Sequence, residues 1–161
     1  MTATITSPAA HLVRELGSDQ TISTRQIDRI KYAHDASHFL YTPQVVAEAR
    51  NAKDVAAAFR ASASSGAPVV LRAGGTSLSG QAGGGGMMID VRKHFRGVEV
   101  LDGGKRVRVQ PGSTVRQVNA HLAPYGRKLG PDPASEGAAT LGGVISNNSS
   151  GMACGTQYNT Y

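Results

Sequence analysis

The sequence predicts an α+β fold: a small parallel, βαβ-based sheet flanked by helices, followed by the start of a second, mixed or antiparallel sheet. Three observations predict it. The extended stretch "YTPQVVAEAR", the helical stretch "NAKDVAAAFRASASSG" and the apolar run "PVVLRA" follow one another. Strand, helix and strand in that order make a parallel crossover, and the expectation is that 44–48 and 68–72 are neighbouring strands. Further on, "MMIDV", "VEVL" and "RVRVQPG" are short extended runs. In the last of these, Val107 and Val109 alternate with charged residues, so one face of that sheet meets solvent.

The elements follow in order. "SPAAHLVRELG" opens on a Ser-Pro cap pair and stops at Gly17, a helix. "TISTRQIDRIKYAHD" carries Ile22, Ile27 and Ile30 at partly helical spacing and predicts a weaker helix. Asn51 caps the helix over 52–65, Val55 and Phe59 share its apolar face, and Gly66 ends it. "PVVLRA", continuous rather than alternating, reads as a buried strand. Thr114 caps "TVRQVNAHLAPYG", with Val115, Val118 and Leu122 inward, and "AATLGGVIS" reads as a short helix. Residues 1–30 read as a helical extension.

Composition narrows the function. The 161 residues carry a formal charge of +6, 20 glycines, one cysteine and no tryptophan. The basic residues are scattered and do not alternate with aromatics, which argues against nucleic acid. A single cysteine, Cys154, supports neither an internal disulfide nor a cysteine-rich metal site. The first residues lack the basic start and apolar core of a secretory signal, and no apolar run approaches the roughly 20 residues of a membrane helix. The expected location is the cytoplasm, with a peripheral membrane association left open.

The distinctive stretch is "VVLRAGGTSLSGQAGGGG", residues 69–86. Gly74 and Gly75 have no Cβ, so successive amides can turn toward one anion, and Thr76, Ser77 and Ser79 add hydroxyls. Phosphate suits such a surface. Composition alone leaves an anion cradle and a flexible exposed loop both open. The spacing Gly75 to Gly80 is that of a P-loop, but Gln81 and Ala82 stand where Lys and Ser or Thr belong, which argues against nucleoside triphosphate hydrolysis. The G-x-G-x-x-G dinucleotide fingerprint is absent. A second region, "TLGGVISNNSSG", follows "GPDPAS". Two bare loops, one directly after a parallel strand, suit an extended ligand with a diphosphate centre.

On "PVVLRAGGTSLSGQ", "VRVQPGSTVRQVNAHLAPYGRKLGPDPAS" and "TLGGVISNNSSGMACGTQYNTY", in that order, residues 31–161 resemble the FAD-binding domain of the vanillyl-alcohol oxidase and p-cresol methylhydroxylase superfamily. Within it they are most similar to D-lactate and D-2-hydroxyglutarate dehydrogenases. The resemblance implies that Arg72, Ala73, Gly74, Gly75, Thr76, Ser77 and Leu78 wrap the FAD pyrophosphate, with Ser79, Gly80 and Gln81 continuing the turn. It implies that Pro131, Asp132 and Ser135 border the flavin ring and ribityl chain. Thr140, Gly142, Gly143, Ser146, Asn147 and Gly151 are implied as the second wall. "YAHDAS", residues 32–37, resembles the family's entry motif.

The resemblance further implies a small 2-hydroxy acid as substrate, an electron acceptor it does not specify, and an iron–sulfur region downstream in the long bacterial members. Many relatives attach flavin to a histidine after the paired glycines. Thr76 stands there, which implies non-covalent FAD, and the position of Cys154 does not match an attachment site. The residues that take the hydroxyl proton and hold the carboxylate are expected beyond Tyr161, so the chain reads as the N-terminal part of an oxidoreductase, inactive alone. A non-catalytic nucleotide- or anion-binding module on the same loops is the alternative. His34 and His38, four apart, read as a chance pairing rather than metal ligands, and His11, His94 and His121 as solvent-facing. Asp90 reads as capping a turn.

Overall fold

A computed structural model describes residues 7–17 and 21–151. The chain divides into two compact units: Met1–Arg72 with Ser77–Val91, and Ala73–Thr76 with Arg92–Tyr161.

The first unit is a four-stranded sheet with helices. Helix α1, Pro8–Leu16, starts at Ser7, whose side chain accepts from the Ala10 amide, and ends at Gly17 in the left-handed conformation. Strand β1, Ile22–Ser23, follows, so Ile22 belongs to a strand and not to the predicted second helix. That helix, α2, runs only over Gln26–Ile30, and Ile27 and Ile30 are exposed. Strand β2 is Val45–Glu48, helix α3 Ala52–Ser65, strand β3 Val69–Arg72 and strand β4 Met87–Asp90.

The sheet order is β1-β2-β4-β3. Strand β4 is parallel to both β2 and β3 and lies between them, pairing Met87 with Val45 on one side and with Val69 on the other. The predicted adjacency of 44–48 and 68–72 is therefore wrong, although the two strands are parallel and share the sheet. Burial accounts for the order. Each residue of β4 is buried, which suits a central strand. Strand β3 is only half-buried, with Leu71 41% exposed, and takes the edge instead of the buried place its apolar run suggested.

Helix α3 begins at Asn51, whose side chain accepts from the Lys53 and Asp54 amides, and ends at Gly66 in the left-handed region. Its buried face is Ala57, Ala58 and Ala61, not Val55 and Phe59; Phe59 is 50% exposed. Alanines let neighbouring backbones approach closely, which large side chains on that face would prevent. Helix α1 lies against α3: Leu12 is fully buried, and Arg60 meets Glu15 at 2.8 Å. His11, predicted to face solvent, is buried here, with Nδ1 2.8 Å from Ser64 Oγ.

In the second unit, β5 (Val98–Leu101) and β6 (Arg106–Val109) form an antiparallel pair that aligns Val98 with Val109 and Val100 with Val107. Helix α4, Val115–Leu122, opens with a reciprocal capping box: Thr114 accepts from the Gln117 amide and Gln117 from the Thr114 amide. Val115, Val118 and Leu122 point inward as predicted, and join Ala139, Leu141 and Val144 in one buried cluster against the valines of the hairpin. Leu141 and Val144 come from α5, Leu141–Ser146, the short helix expected despite its glycines.

Candidate functional site

Strand β3 ends at Arg72, and the glycine loop starts at once. The carboxyl end of a parallel strand is where ligands of open α/β sheets bind. Gly75 has φ +70°, a conformation that any β-branched residue resists. Among the described residues, the amides of Gly74, Gly75, Thr76 and Ser77 have no intramolecular acceptor. Successive unclaimed amides around a left-handed glycine are the geometry of an anion cradle.

Within the second unit, the first half of this loop lies against the second glycine region. A Cβ on Gly74 would collide with the Ala138 carbonyl, and one on Gly143 would touch the Ala73 methyl. Only a glycine at position 74 permits that approach. Ser135 accepts from the amides of both Ala138 and Ala139 at 2.8 Å, which fixes the turn facing Gly74. A Cβ on Gly142 would strike the Pro111 ring, and one on Gly151 would strike Asp132. So the predicted residues Ala73 to Thr76, Asp132, Ser135, Thr140, Gly142, Gly143 and Gly151 are all held in this one unit.

Their donors are not all equal. The amides of Leu141 and Gly142 are taken by the Ser113 and Pro111 carbonyls. Ser146 gives its hydroxyl to the Gly142 carbonyl at 2.7 Å, while Asn147 is exposed. Among the described residues, the hydroxyls of Thr140 and Ser113 are sealed from solvent and have no hydrogen-bond partner. The amides at 74–77 remain open among the described residues.

In the first unit, the return half of the loop is held from below. Arg72, 7% exposed, gives Nη1 to the Ala82 carbonyl at 2.9 Å and Nη2 to the His34 carbonyl at 2.8 Å. Its guanidinium lies 5.9 Å from the Tyr32 ring centroid, and Tyr32 donates to buried Asp90 at 2.7 Å. The Asp90 carboxylate thus receives a side chain from 58 residues away. Asp35 accepts from the Ser37 amide at 2.9 Å and the Ala82 amide at 3.3 Å. Burial acts to raise the Asp35 pKa, but hydrogen bonds from Ser37 and Ala82 and the nearby Arg72 charge outweigh it and hold it below the ordinary value. Ser77 donates to Gln81 at 2.6 Å and accepts from the Ser79 amide, so these serines shape the loop. Leu78 stands 78% exposed. Asp35 and Ala82 were not among the predicted site residues; the Asp-x-Ser turn inside "YAHDAS" is the one local signal that marks them. Cys154 lies outside the described residues.

Comparisons with known proteins bear on these loops. The family model described as FAD binding domain matches residues 43–161. The chain is 32% identical over 134 residues to a D-2-hydroxyglutarate dehydrogenase of Pantoea ananatis, a match spanning 81% of this chain and 13% of that protein. It is 34% identical over 89 residues to the glycolate oxidase subunit GlcD of Escherichia coli, spanning 54% of this chain and 18% of the subunit. Among solved structures, alkyldihydroxyacetonephosphate synthase superposes with a TM-score of 0.73 at 21% identity, covering 87% of this chain and 30% of that one. p-Cresol methylhydroxylase superposes with a TM-score of 0.72 at 15% identity, covering 89% and 29%. The fold is of the type expected, and the chain spans a small part of the length of each of these proteins.

Proposed function

The chain belongs to the FAD binding domain family, and from that premise we propose that it is the cofactor-holding portion of an FAD-dependent dehydrogenase of a D-2-hydroxy acid, of the class of D-2-hydroxyglutarate or D-lactate. The observation that carries this reading is the row of unclaimed amides at Gly74, Gly75, Thr76 and Ser77. Four donors on one turn match the four non-bridging oxygens of a pyrophosphate in number, and each charge-assisted bond is stronger than a neutral one. The formal charge of +6 favours the same anionic ligand.

Bound FAD supplies a two-electron acceptor for oxidation of a substrate C–H bond. This chain's residues bind and orient it. The loop amides hold the pyrophosphate, and the approach of Gly74 to Ala138 sets how the two glycine regions border the ligand. Pro131, Asp132 and Ser135 border the ring end. Thr76 offers a hydroxyl where an imidazole would be needed for a covalent link, so the flavin is held without one. The chain spans 13% of the D-2-hydroxyglutarate dehydrogenase of Pantoea ananatis, and in this reading substrate binding and proton removal belong to another part of the enzyme.

The test is a titration of the deflavinated, encoded polypeptide with FAD, read by quenching of flavin fluorescence. Saturable binding by the wild type is expected. Replacing Gly75 with Val forces a β-branched residue to φ +70° in the cradle and should abolish binding. Equal affinity in both proteins would rule out the placement of the pyrophosphate.

A further inference from the structure

The segment that leads into the first parallel strand, residues 32–41, makes four separate contacts with the glycine loop, and none of them uses a residue of the cradle. The His34 carbonyl takes Arg72 Nη2. The Asp35 carboxylate takes the Ala82 amide. The Phe39 ring lies where a Cβ on Gly80 would sit 2.7 Å from it, and Gly80 has φ +77°. The Tyr41 ring lies 3.0 Å from a Cβ built on Gly83. The segment is itself pinned. The Tyr41 amide donates to the Ala33 carbonyl at 2.6 Å, the Phe39 amide to Ser37 Oγ at 3.1 Å, and the Phe39 and Tyr41 rings stack 5.9 Å apart.

Ala82 is the focus of the arrangement. Its N–H is held by Asp35 and its C=O by Arg72, so both polar groups of one residue are claimed by charged side chains. Because Arg72 is the last residue of β3, its side chain also ties the beginning of the loop to its end. A bare glycine loop left to itself samples many conformations, and only a fraction would present its amides together.

We propose that residues 32–41 form a positioning platform for the glycine loop, with Asp35 the positioning residue that fixes the loop's return half at Ala82 and thereby sets FAD affinity without touching FAD. This rests on the FAD reading above. When a binding-competent conformation is only partly populated, the apparent dissociation constant rises in proportion. Asp35→Asn keeps the shape but can satisfy only one of the two amides, since its NH2 group faces the other donor.

The experiment uses the whole enzyme that the FAD reading above implies, with the residues that bind substrate. FAD dissociation constants are measured for wild type, Asp35→Asn and Phe39→Ala, together with turnover at saturating FAD and the Tm of each apoprotein. We expect Asp35→Asn to weaken FAD binding about tenfold. Turnover at saturation should be unchanged, and the apoprotein should melt within a few degrees of wild type. Phe39, 50% exposed, can be truncated with little risk to folding, and its loss should weaken binding in the same direction. If Asp35→Asn does not fold, Phe39→Ala decides. Wild-type affinity in the folded variants would overturn the platform while leaving the cradle intact, provided Gly75→Val still loses FAD. Turnover that falls at full saturation would also overturn it, because Asp35 would then act on more than the loop. Failure of the wild type to bind FAD at all would bring down the parent reading, and the platform with it.

Discussion

Asp35 shows how one side chain can link pH to loop order. Its carboxylate is favoured by hydrogen bonds from Ser37 and Ala82 and by the Arg72 charge, against the opposing effect of burial. The folded-state pKa therefore lies below the unfolded one. A depressed pKa contributes stability that is fully present above the unfolded value and is lost as pH falls through the folded value. The half-buried setting limits its size to about 1 kcal/mol at neutral pH. Urea unfolding of wild type and Asp35→Asn should show that gap at pH 7, and the gap should close as pH falls below the ordinary carboxylate range. A gap of constant size across this range would mean that the carboxylate charge is not involved.

At the scale of elements, helix α3 is the most instructive. Its face toward α1 and the sheet is built from Ala57, Ala58 and Ala61, with Ala61 fully buried. Enlarging Ala61 to Leu should cost about 1–3 kcal/mol by overpacking. Phe59→Ser, on the exposed side, should change stability by less than about 0.5 kcal/mol. Chemical denaturation of both variants checks this, and a larger loss for Phe59→Ser would reverse the assignment of faces. The sequence misled here because hydrophobicity ranks Phe above Ala, whereas close approach between backbones ranks Ala above Phe. Helix α4 was legible for the opposite reason: Val115, Val118 and Leu122 pack beneath a hairpin with room for branched side chains, so spacing and size agree. The loop glycines were legible too, since left-handed φ at Gly75 and Gly80 is a demand that composition displays directly. The burial of Arg72 was not, because a charged residue after a strand gives no local sign that it will serve its own loop.

Over the whole molecule, strand order was the least legible property. Local pattern identified β2, α3 and β3, but nothing near them announced that Met87–Asp90 would come back between the two strands. The consequence can be checked by truncation. A chain ending before Met87 has no partner joining β2 to β3, and it should show no cooperative unfolding by circular dichroism. A sharp transition in that truncation would contradict the central place of β4. The proposed non-covalent hold on flavin belongs to this scale as well. Acid denaturation of flavin-loaded protein should leave all yellow colour in the supernatant, since Thr76 provides no imidazole. Colour that stays with the precipitate would show an attachment elsewhere.

The central place of β4 also orders the molecule in time. Residues 87–90 are hydrogen-bonded on both edges and buried on both faces, so their amides can exchange with solvent deuterium only through large-scale opening. The glycine loop runs directly into that strand, while its own amides at 74–77 have no internal partner to protect them. Fast-exchanging and slow-exchanging backbone thus lie within a dozen or so residues of each other on one stretch of chain. Hydrogen exchange should register an anion settling into the loop as new protection at 74–77, against a strand whose protection was already near its ceiling.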